Sequence, residues 1–480
     1  MADHKTKTIP VVVHKFGGTS VADTSCFARV AEIIEQQGGP NGRPIVVVSA
    51  MADVTDALIR GARLAAEGDR SEPAGVVSDL ERRHTAVASE LLDMSERMLF
   101  QEALRERLET LRRLYESLSV LGELTPRSRD AVTGYGEQLS AALLAGVLRS
   151  RGLDAKALSA TGLIVTNDRF GAAAPQMIPT GMRIQQQVTP QVDRGTIPVI
   201  TGYIAATESG IPTTLGRSGS DRTAAIVAAG IDADEVWIWT DVDGILTADP
   251  HIVAGASTLE ELSYDEAANL ARFGAEVLHP RTILPVIASG IPLRILNSYR
   301  PEHPGTRIVA RPSADRRVSP AIVSATGMRL LAVGNGDETQ RLLTAAQTLR
   351  RLSEAGIEVC MFSQALSDSN LGLVVRAQDR DHVISLLHHR SSDAGSGMSN
   401  ALPDALQSEE EVSIVSVIGS PGGDERGIAS LAFAALGKHA VRVIAVTQAV
   451  SSDSVSFCIP ASRVDDTICF LHRELALERR

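Results

Sequence analysis

The first chemically informative segment is a short β-branched run that ends in a lysine, two glycines and two hydroxyl residues, Lys15-Phe-Gly17-Gly18-Thr19-Ser20. Glycine lets a backbone approach an anion closely, and a following helix start directs free N–H groups toward it. Lys15 would add a point charge beside the phosphates, and both hydroxyls can donate hydrogen bonds. The segment is not a Walker A loop, because Gly-x4-Gly-Lys-Ser/Thr is missing. It predicts a phosphate cradle of another kind, although Gly-Gly turns after strands are also common.

A second cluster begins in a glycine-rich loop and continues into an alanine-rich helix: Gly216-Arg217-Ser-Gly219-Ser220-Asp221-Arg222. Arg217 can hold a carboxylate through two parallel hydrogen bonds. Gly219 and Ser220 at the helix start form a second anion site. Asp221 is acidic where anions should bind, so it needs a cation, which a metal, Lys15 or Arg222 could supply. The alternative is that Asp221 only caps the helix.

A third cluster places two acids and a glycine turn after a predicted strand, Trp239-Thr240-Asp241-Val-Asp243-Gly244. The Asp-x-Asp-Gly pattern lacks the other ligands of an EF-hand, which excludes that site. An Asp-Gly turn without function remains the alternative.

A fourth cluster is Phe273-Gly-Ala-Glu276-Val-Leu-His279-Pro. It contains one histidine and no catalytic partner in a recognisable Ser/His/Asp or Cys/His arrangement. A lone histidine is more often structural, so His279 is not assigned a catalytic role.

These clusters follow short apolar runs that alternate with helical segments over residues 10–310. Continuously apolar strands separated by helices predict a parallel sheet covered on both faces, with ligands at the carboxyl ends of its strands. The predicted strands are Val11–His14, Pro44–Ser49, Ile164–Thr166, Ile197–Tyr203, Glu235–Thr240 and Pro292–Asn297. Glu81–Val120 and Thr223–Ala229 are predicted to be helical.

The composition bounds the class of protein. A chain of 480 residues with 44% hydrophobic residues can build two to four domains, and a net charge of −11 without a basic, aromatic-rich stripe argues against nucleic-acid binding. The 4 cysteines have no Cys-x-x-Cys spacing, so free thiols are expected rather than a disulfide framework or a zinc site. No signal segment or long apolar run is visible. We expect a cytoplasmic protein without membrane partners.

Beyond a linker at residues 311–320, an internal repeat is visible. Ile357-Glu-Val-Cys-Met-Phe-Ser-Gln364 aligns with Val441-Arg-Val-Ile-Ala-Val-Thr-Gln448, and each copy follows a helical pattern and precedes another strand. The unit is β-α-β-β with a further helix. Residues 390–411 between the copies are rich in Ser, Gly, Asp and Glu, and predict a flexible connector.

In this order the clusters closely resemble the aspartate kinase family, as do Val47-Val-Ser49-Ala-Met, Asn167-Asp-Arg-Phe-Gly171 and Thr201-Gly-Tyr203. The resemblance covers nearly the whole chain. It implies an α/β fold, namely an amino acid kinase fold with a mostly parallel central sheet and helices on both faces, followed by two βαββαβ ACT-like units. The expected domains are 10–310 for the kinase and 321–388 and 411–480 for the ACT-like units. A monofunctional enzyme is expected.

Such kinases use ATP and Mg²⁺ to phosphorylate the side-chain carboxylate of L-aspartate, giving 4-phospho-L-aspartate. The resemblance implies that Lys15 and Asp221 are catalytic. It also implies that six residues bind phosphate, namely Gly17, Gly18, Thr19, Ser20, Gly219 and Ser220. The expected aspartate site has Arg217 on the α-carboxylate, Glu137 on the ammonium, and Ser49, Thr55 and Tyr203 as lining. The expected nucleotide-binding residues are Thr240, Asp241, Leu246, Asp249, Pro250 and Glu276, and no metal is assigned to direct protein ligands.

The resemblance also implies feedback by an end-product amino acid, lysine, threonine or methionine, and a homodimer or homotetramer formed through the ACT-like units. The expected effector residues are Asn335 and Gln364 in one unit and Ser420 and Gln448 in the other, with Asp368 and Ser452 as further candidates. The alternative for both glutamines is that they satisfy edge-strand backbone groups.

This chain departs from the usual family pattern at five positions. Asp53 stands where glycine is frequent, Ser218 replaces glycine or asparagine, and Arg222 replaces threonine or tyrosine. Leu246 replaces a tyrosine and Glu276 a frequent lysine. These changes keep two alternatives open: a related amino-acid carboxylate kinase of a specialised pathway, and a catalytically weak amino-acid sensor.

Overall fold

The computed structural model describes residues 9–39, 41–272, 280–313, 320–334, 341–364, 370–388, 406–419, 427–448, 454–475 and 477. The chain divides into two compact units. The first comprises Met1–Ile245, Thr258–Ala268 and Val277–Ala314, and the second comprises Leu246–Ser257, Asn269–Glu276 and Asp315–Arg480.

The strands of the first unit form an eight-stranded sheet and a three-stranded sheet. They are β1 (Val11–Phe16), β2 (Arg43–Val48), β3 (Ala155–Leu158), β4 (Val165–Thr166), β5 (Ile197–Thr201), β6 (Ile204–Thr207), β7 (Pro212–Thr214), β8 (Glu235–Thr240), β9 (Glu261–Ser263), β10 (Leu293–Asn297) and β11 (Thr306–Val309). The large sheet has the order β3-β5-β2-β1-β8-β10-β11-β9, and only the β10–β11 pair is antiparallel. The small sheet has the order β4-β6-β7.

The helices of this part of the chain are α1 (Thr24–Gln37), α2 (Val54–Ala66), α3 (Ser71–Leu91), α4 (Met94–Leu121), α5 (Pro126–Thr133), α6 (Tyr135–Ser150), α7 (Met177–Gln187), α8 (Thr189–Asp193), α9 (Gly219–Ile231), α10 (Tyr264–Arg272) and α11 (Pro280–Ser289). The predicted helical stretch 81–120 is therefore two helices. It breaks because Leu92 is extended and the Asp93 carboxylate caps α4 by accepting from Glu96 N at 2.9 Å.

Helices cover both faces of the large sheet, as the sequence predicted. Along β2, Val46 and Val48 join one hydrophobic core with α1–α6. Ile45 and Val47 are equally buried and alternate to the other face. On that face α9 packs on β1, β2 and β8, and α7 and α11 pack on α9. The predicted strand 164–166 pairs in the small sheet instead.

The second unit contains one antiparallel sheet of six strands in the order β13-β14-β12-β15-β17-β16. Its elements are β12 (Ala321–Gly334), α12 (Arg341–Glu354), β13 (Val359–Ser363), β14 (Asn370–Arg376), α13 (Arg380–His388), β15 (Leu406–Ile418), α14 (Gly427–Lys438), β16 (Ala445–Gln448), β17 (Ser454–Pro460) and α15 (Val464–Glu474). The internal repeat is confirmed in this order of elements.

The two repeats share their central strands. The second half of β12, from Met328, pairs with β14 and with the first half of β15. The first half of β12 pairs with Ile414–Ile418 of β15, whose other edge pairs with β17. The predicted flexible connector 390–411 is therefore strand from residue 406 onward.

Residues 246–257 also belong to the second unit. Ala248 and Val253 are buried in the hydrophobic core formed by β15, β17, α14 and α15. The Thr247 carbonyl accepts from Ile322 N at 2.8 Å, and the Thr247 hydroxyl lies 3.0 Å from His472 Nε2. This segment is thus an integral part of a core whose strands and helices come much later in the chain.

All four cysteines are free thiols, and Cys26 and Cys458 are buried. Over the described ranges, none of the helices combines the length and the apolar character that crossing a membrane requires.

Candidate active site

An ion pair joins the first strand to a helix far along the chain. Lys15 Nζ, near the end of β1, lies 2.5 Å from Asp221 Oδ1 in the first turn of α9, and the two side chains are only 11% and 13% exposed. Charges attract more strongly where water is largely excluded. The cation that Asp221 requires is therefore Lys15.

The glycine loop after β1 runs close to the neighbouring loops. Gly17 N donates to Trp239 O at 3.4 Å, and a Cβ on Gly18 would lie 3.2 Å from the carbonyl of Ala50. Thr19 is exposed, whereas Ser20 is buried with its hydroxyl 2.9 Å from that of Ser298. The Thr19 hydroxyl, rather than the Ser20 hydroxyl, is therefore the accessible side-chain donor of this loop.

Two residues that the sequence analysis did not assign hold this loop. Tyr299 Oη donates to the Thr19 carbonyl at 3.2 Å, and Cys26 Sγ donates to the same carbonyl at 3.5 Å. The Arg29 guanidinium stacks on the Tyr299 ring at 4.4 Å from its centroid. Nothing in the local sequence marks Tyr299, because it comes from the turn after β10.

The loop after β2 carries Ser49 and leads to Thr55 in the first turn of α2. Ser49 N donates to Phe16 O at 3.1 Å, which fixes this loop against β1. Asp53 has a left-handed backbone, with φ of 65°. Arg83 of α3 donates from Nη2 to the Ala52 carbonyl at 2.9 Å. The departure at Asp53 therefore falls where the backbone itself favours glycine.

Glu137 lies in the first turn of α6 and is 3% exposed. Its Oε2 has no hydrogen-bond partner among the described residues. Burial raises the pKa of this carboxyl to about 8, against smaller opposing hydrogen bonds from the Glu137 and Ala50 backbone. A buried carboxyl group with one oxygen unpartnered is suited to receiving a cation from a ligand.

The chain between β5 and α9 brings Tyr203 against the start of α9. Tyr203 has φ of 64°, its carbonyl accepts from Leu215 N at 2.9 Å, and burial raises the pKa of its phenol. A Cβ on Gly219 would lie 2.6 Å from the Tyr203 ring, and one on Gly202 would lie 2.4 Å from the Ser220 hydroxyl. Both glycines are needed for this close approach.

The loop that carries Arg217 is shaped by its neighbours. Arg217 is exposed, and Ser218 has φ of 53°. Arg222 Nη1 donates to the carbonyls of Ala173 and Leu215, each at 3.3 Å. The departures at Ser218 and Arg222 thus act on the backbone of this loop.

The two acids after β8 have different surroundings. Asp241 is exposed and accepts from the Thr240 hydroxyl at 3.2 Å. Asp243 accepts from Asn297 Nδ2 at 2.7 Å and pairs with Arg300. Asp243 therefore stabilises the turn, and Asp241 is the acid of the two that is free to contact a ligand.

The remaining predicted nucleotide residues either belong to the second unit or lie outside the described residues. Leu246, Asp249 and Pro250 belong to the second unit, where Asp249 accepts from His251 N at 2.8 Å. Glu276, like His279, lies outside the described residues.

Among the predicted effector residues, Gln364 follows β13 and is partly buried, and Gln448 is the exposed last residue of β16. Gln364 directly follows one edge strand of the six-stranded sheet and Gln448 ends the other, at equivalent places in the two repeats. Asn335, Asp368, Ser420 and Ser452 lie outside the described residues.

Comparison with known proteins agrees with this architecture. The amino acid kinase family matches residues 10–297, and an ACT domain matches residues 415–475. Lysine-sensitive aspartokinase 3 of Escherichia coli K12 is 30% identical over 478 residues, which span 97% of this chain and 99% of that protein. The chain therefore belongs to the amino acid kinase family, and within it to the aspartokinases.

Plant relatives are longer. Bifunctional aspartokinase/homoserine dehydrogenase 2 of Arabidopsis thaliana is 32% identical over 477 residues, which cover 97% of this chain and 51% of that protein. The chain thus spans about half the length of these bifunctional relatives.

Solved structures of E. coli aspartokinase III share the fold. The complex with aspartate and ADP has a TM-score of 0.77 at 28% identity, covering 97% of this chain and 100% of that one. The complex with lysine and aspartate has a TM-score of 0.78 at 29% identity, covering 97% and 99%.

Proposed function

We propose that this protein transfers the γ-phosphoryl group of ATP to the side-chain carboxylate of L-aspartate, producing 4-phospho-L-aspartate. The observation that carries this proposal is the shielded Lys15–Asp221 pair beside a glycine loop and the start of α9. Phosphoryl transfer needs positioned partners and neutralised charge rather than covalent chemistry by the protein. Lys15 supplies the positive charge at the transferring group.

The other roles follow the chemistry of each group. Phosphate oxygens are held by N–H groups of the glycine loop and of the α9 N-terminus, at Gly18, Thr19, Gly219 and Ser220, and Gly17 lets the loop approach them closely. Arg217 holds the α-carboxylate, and the buried Glu137 receives the α-ammonium. Ser49, Thr55 and Tyr203 line the aspartate site, and Thr240 and Asp241 contact the nucleotide. Roles for Leu246, Asp249, Pro250 and Glu276 toward the nucleotide stay predictions.

Mg²⁺ bound together with the nucleotide would neutralise charge on its phosphates. Asp221 is the acidic side chain at the phosphoryl centre, and with Lys15 beside it the residues fit a metal held mainly by phosphate oxygens. Asp221 orients Lys15, and it is the residue that would help to hold the metal.

The site supports an active kinase specific for a free amino acid. Asp53 and Ser218, which motivated a different substrate, occupy positions with left-handed backbones, and Arg222 donates to backbone carbonyls. These three departures thus concern the backbone of the loops. The pairing of Lys15 with Asp221 also argues against a catalytically weak sensor.

Regulation is proposed on the second unit. An end-product amino acid binds next to Gln364, Gln448 or both, where the two edge strands end. The E. coli relative is described as lysine-sensitive. A homodimer or homotetramer through the ACT-like repeats, and a cytoplasmic location, stay predictions.

The test is a coupled trapping assay with ATP, Mg²⁺, aspartate and hydroxylamine, which converts the acyl phosphate to aspartyl hydroxamate. Folded protein that gives no product above background would refute the proposal. A panel with glutamate, N-acetylaspartate and succinate tests the acceptor. Efficient use of an acceptor that lacks the ammonium would contradict the role of Glu137. Adding lysine, threonine or methionine singly identifies the effector.

A further inference from the structure

We propose that Asp130 is a positioning residue that fixes the distance between Glu137 and Arg217. These are the two residues proposed to bind the α-ammonium and the α-carboxylate of the substrate amino acid. This inference rests on the proposed function. Asp130 lies in α5 and is 2% exposed. It belongs to none of the motifs from which the site was predicted.

The Asp130 carboxylate accepts three hydrogen bonds from two other parts of the chain. Oδ2 accepts from Gly171 N at 2.8 Å and from Thr214 N at 3.0 Å, and Oδ1 accepts from the Thr214 hydroxyl at 2.9 Å. Hydrogen bonds to a carboxylate are stronger than those between neutral groups. Asp130 therefore joins α5 to the end of β7 and to the turn at Gly171.

Each joined element leads directly to a predicted substrate residue. β7 ends at Thr214, and Arg217 follows in the next turn. α5 ends at Thr133, Gly134 alone separates it from α6, and Glu137 lies in the first turn of α6. A Cβ on Gly134 would lie 2.7 Å from the Ile204 side chain, so this junction packs tightly on β6, the partner of β7.

The same link reaches the aromatic residue of the site. The Tyr203 phenol lies beside the hydroxyls of Thr214 and Thr133, and the Thr133 hydroxyl donates to the Asp130 carbonyl at 3.3 Å. Asp130 thus holds Arg217, Glu137 and the Tyr203 phenol in fixed relative positions. Loss of these hydrogen bonds should weaken aspartate binding more than nucleotide binding.

Two variants and a matched control test this. Asp130→Asn removes the charge, and Thr214→Val removes one bond to the carboxylate. Thr213→Val is the control, because Thr213 is the neighbouring buried residue of β7 and its hydroxyl bonds that of Thr166 at 2.7 Å instead. We expect KM for aspartate to rise about tenfold in each variant, from the loss of one or two hydrogen bonds. KM for ATP should stay within about twofold, as should both constants in the control.

A double variant separates positioning from general damage. Asp130→Asn with Thr214→Val should raise KM for aspartate less than the product of the single effects, because both act through one contact. Thr214→Val tests the inference should Asp130→Asn fail to fold. Unchanged KM for aspartate, or equal rises for ATP and aspartate, would overturn the inference while leaving the kinase proposal intact. A wild-type protein that neither turns over nor binds aspartate by calorimetry would overturn both.

Discussion

Lys15 and Asp221 form the shielded ion pair at the centre of the site, with Nζ and Oδ1 at 2.5 Å, although they come from the first strand and from the ninth helix. Each charge is held in place by the other before any ligand binds. A phosphate arriving between the glycine loop and α9 therefore meets a lysine whose position is already fixed.

Replacing Lys15 by alanine should abolish turnover. The substitution removes the charge that stabilises the transferring group and leaves Asp221 to repel the phosphates, so we expect kcat to fall at least about a thousandfold. Lys156→Ala is the control, because Lys156 is exposed on β3. Hydroxamate formation measures the rate, and calorimetry should show that effector binding is retained. A near-normal rate would refute the role of Lys15.

The buried Glu137 should make stability depend on pH. Its pKa of about 8 in the folded protein lies above the usual 4.5, so between these values the folded state keeps a proton that the unfolded state has lost. Stability from this group is complete below about pH 4.5 and is lost as pH rises toward 8, by up to about 1.4 kcal/mol per pH unit. The melting temperature of Glu137→Gln should therefore depend less on pH than that of the wild type. Exposed Glu102→Gln should match the wild type.

The same carboxyl links aspartate binding to proton release. A bound ammonium favours the ionised form, so aspartate should bind more tightly as pH rises toward 8 and should expel a proton below that pH. Calorimetric titrations in buffers of different ionisation enthalpy measure the proton. Glu137→Gln should bind aspartate weakly and release none; full release in that variant would assign the proton to another group.

Ser218 should respond in opposite directions to two small substitutions. Because its φ is 53°, glycine relieves strain there, and we expect Ser218→Gly to stabilise the protein by about 0.5–1 kcal/mol. Ser218→Ala keeps the Cβ and loses the hydroxyl, so it should not stabilise. Urea unfolding compares the pair. Equal effects of the two substitutions on the unfolding free energy would mean that loss of the hydroxyl, and not relief of backbone strain, determines stability at this position.

Arg83 should matter more than the arginine beside it. Its guanidinium donates to the Ala52 carbonyl at 2.9 Å and to the Ala22 carbonyl at 3.5 Å, so it ties the loops after β1 and β2 together. Arg83→Met should destabilise the protein by about 1.5–3 kcal/mol, the range for a hydrogen bond from a charged group. Arg82 pairs with Asp79 on the surface, and Arg82→Met should cost less than about 1 kcal/mol. Equal losses in unfolding free energy would contradict this assignment.

The sequence predicted the parts of the site that depend on local patterns. Apolar runs marked the strands, and the polar residues following them marked the sheet edge at which Lys15 and Asp221 meet. The contribution of Asp130 could not be predicted, because its three hydrogen bonds go to residues distant in sequence and an aspartate within a short helix carries no local signal. Tyr299 was missed for the same reason.

The ends of helices and strands were harder to predict from the sequence than their existence. The break before α4 depends on one capping aspartate within an otherwise helical pattern. The sharing of β12 and β15 between the two repeats was missed. Sequence periodicity identifies a strand, but it does not show that different parts of one strand pair with different neighbouring strands.

The segment 246–257 has a consequence for dissecting this chain. A fragment beginning near residue 315 would contain every strand of the six-stranded sheet yet lack Ala248 and Val253, which fill its core, and the Thr247 carbonyl that accepts from Ile322. The second unit is therefore not a module that can be transplanted as one continuous segment. A gene fusion that joins residues 315–480 to another enzyme would lack residues 246–257 of that core, and supplying them as a separate peptide should restore its fold.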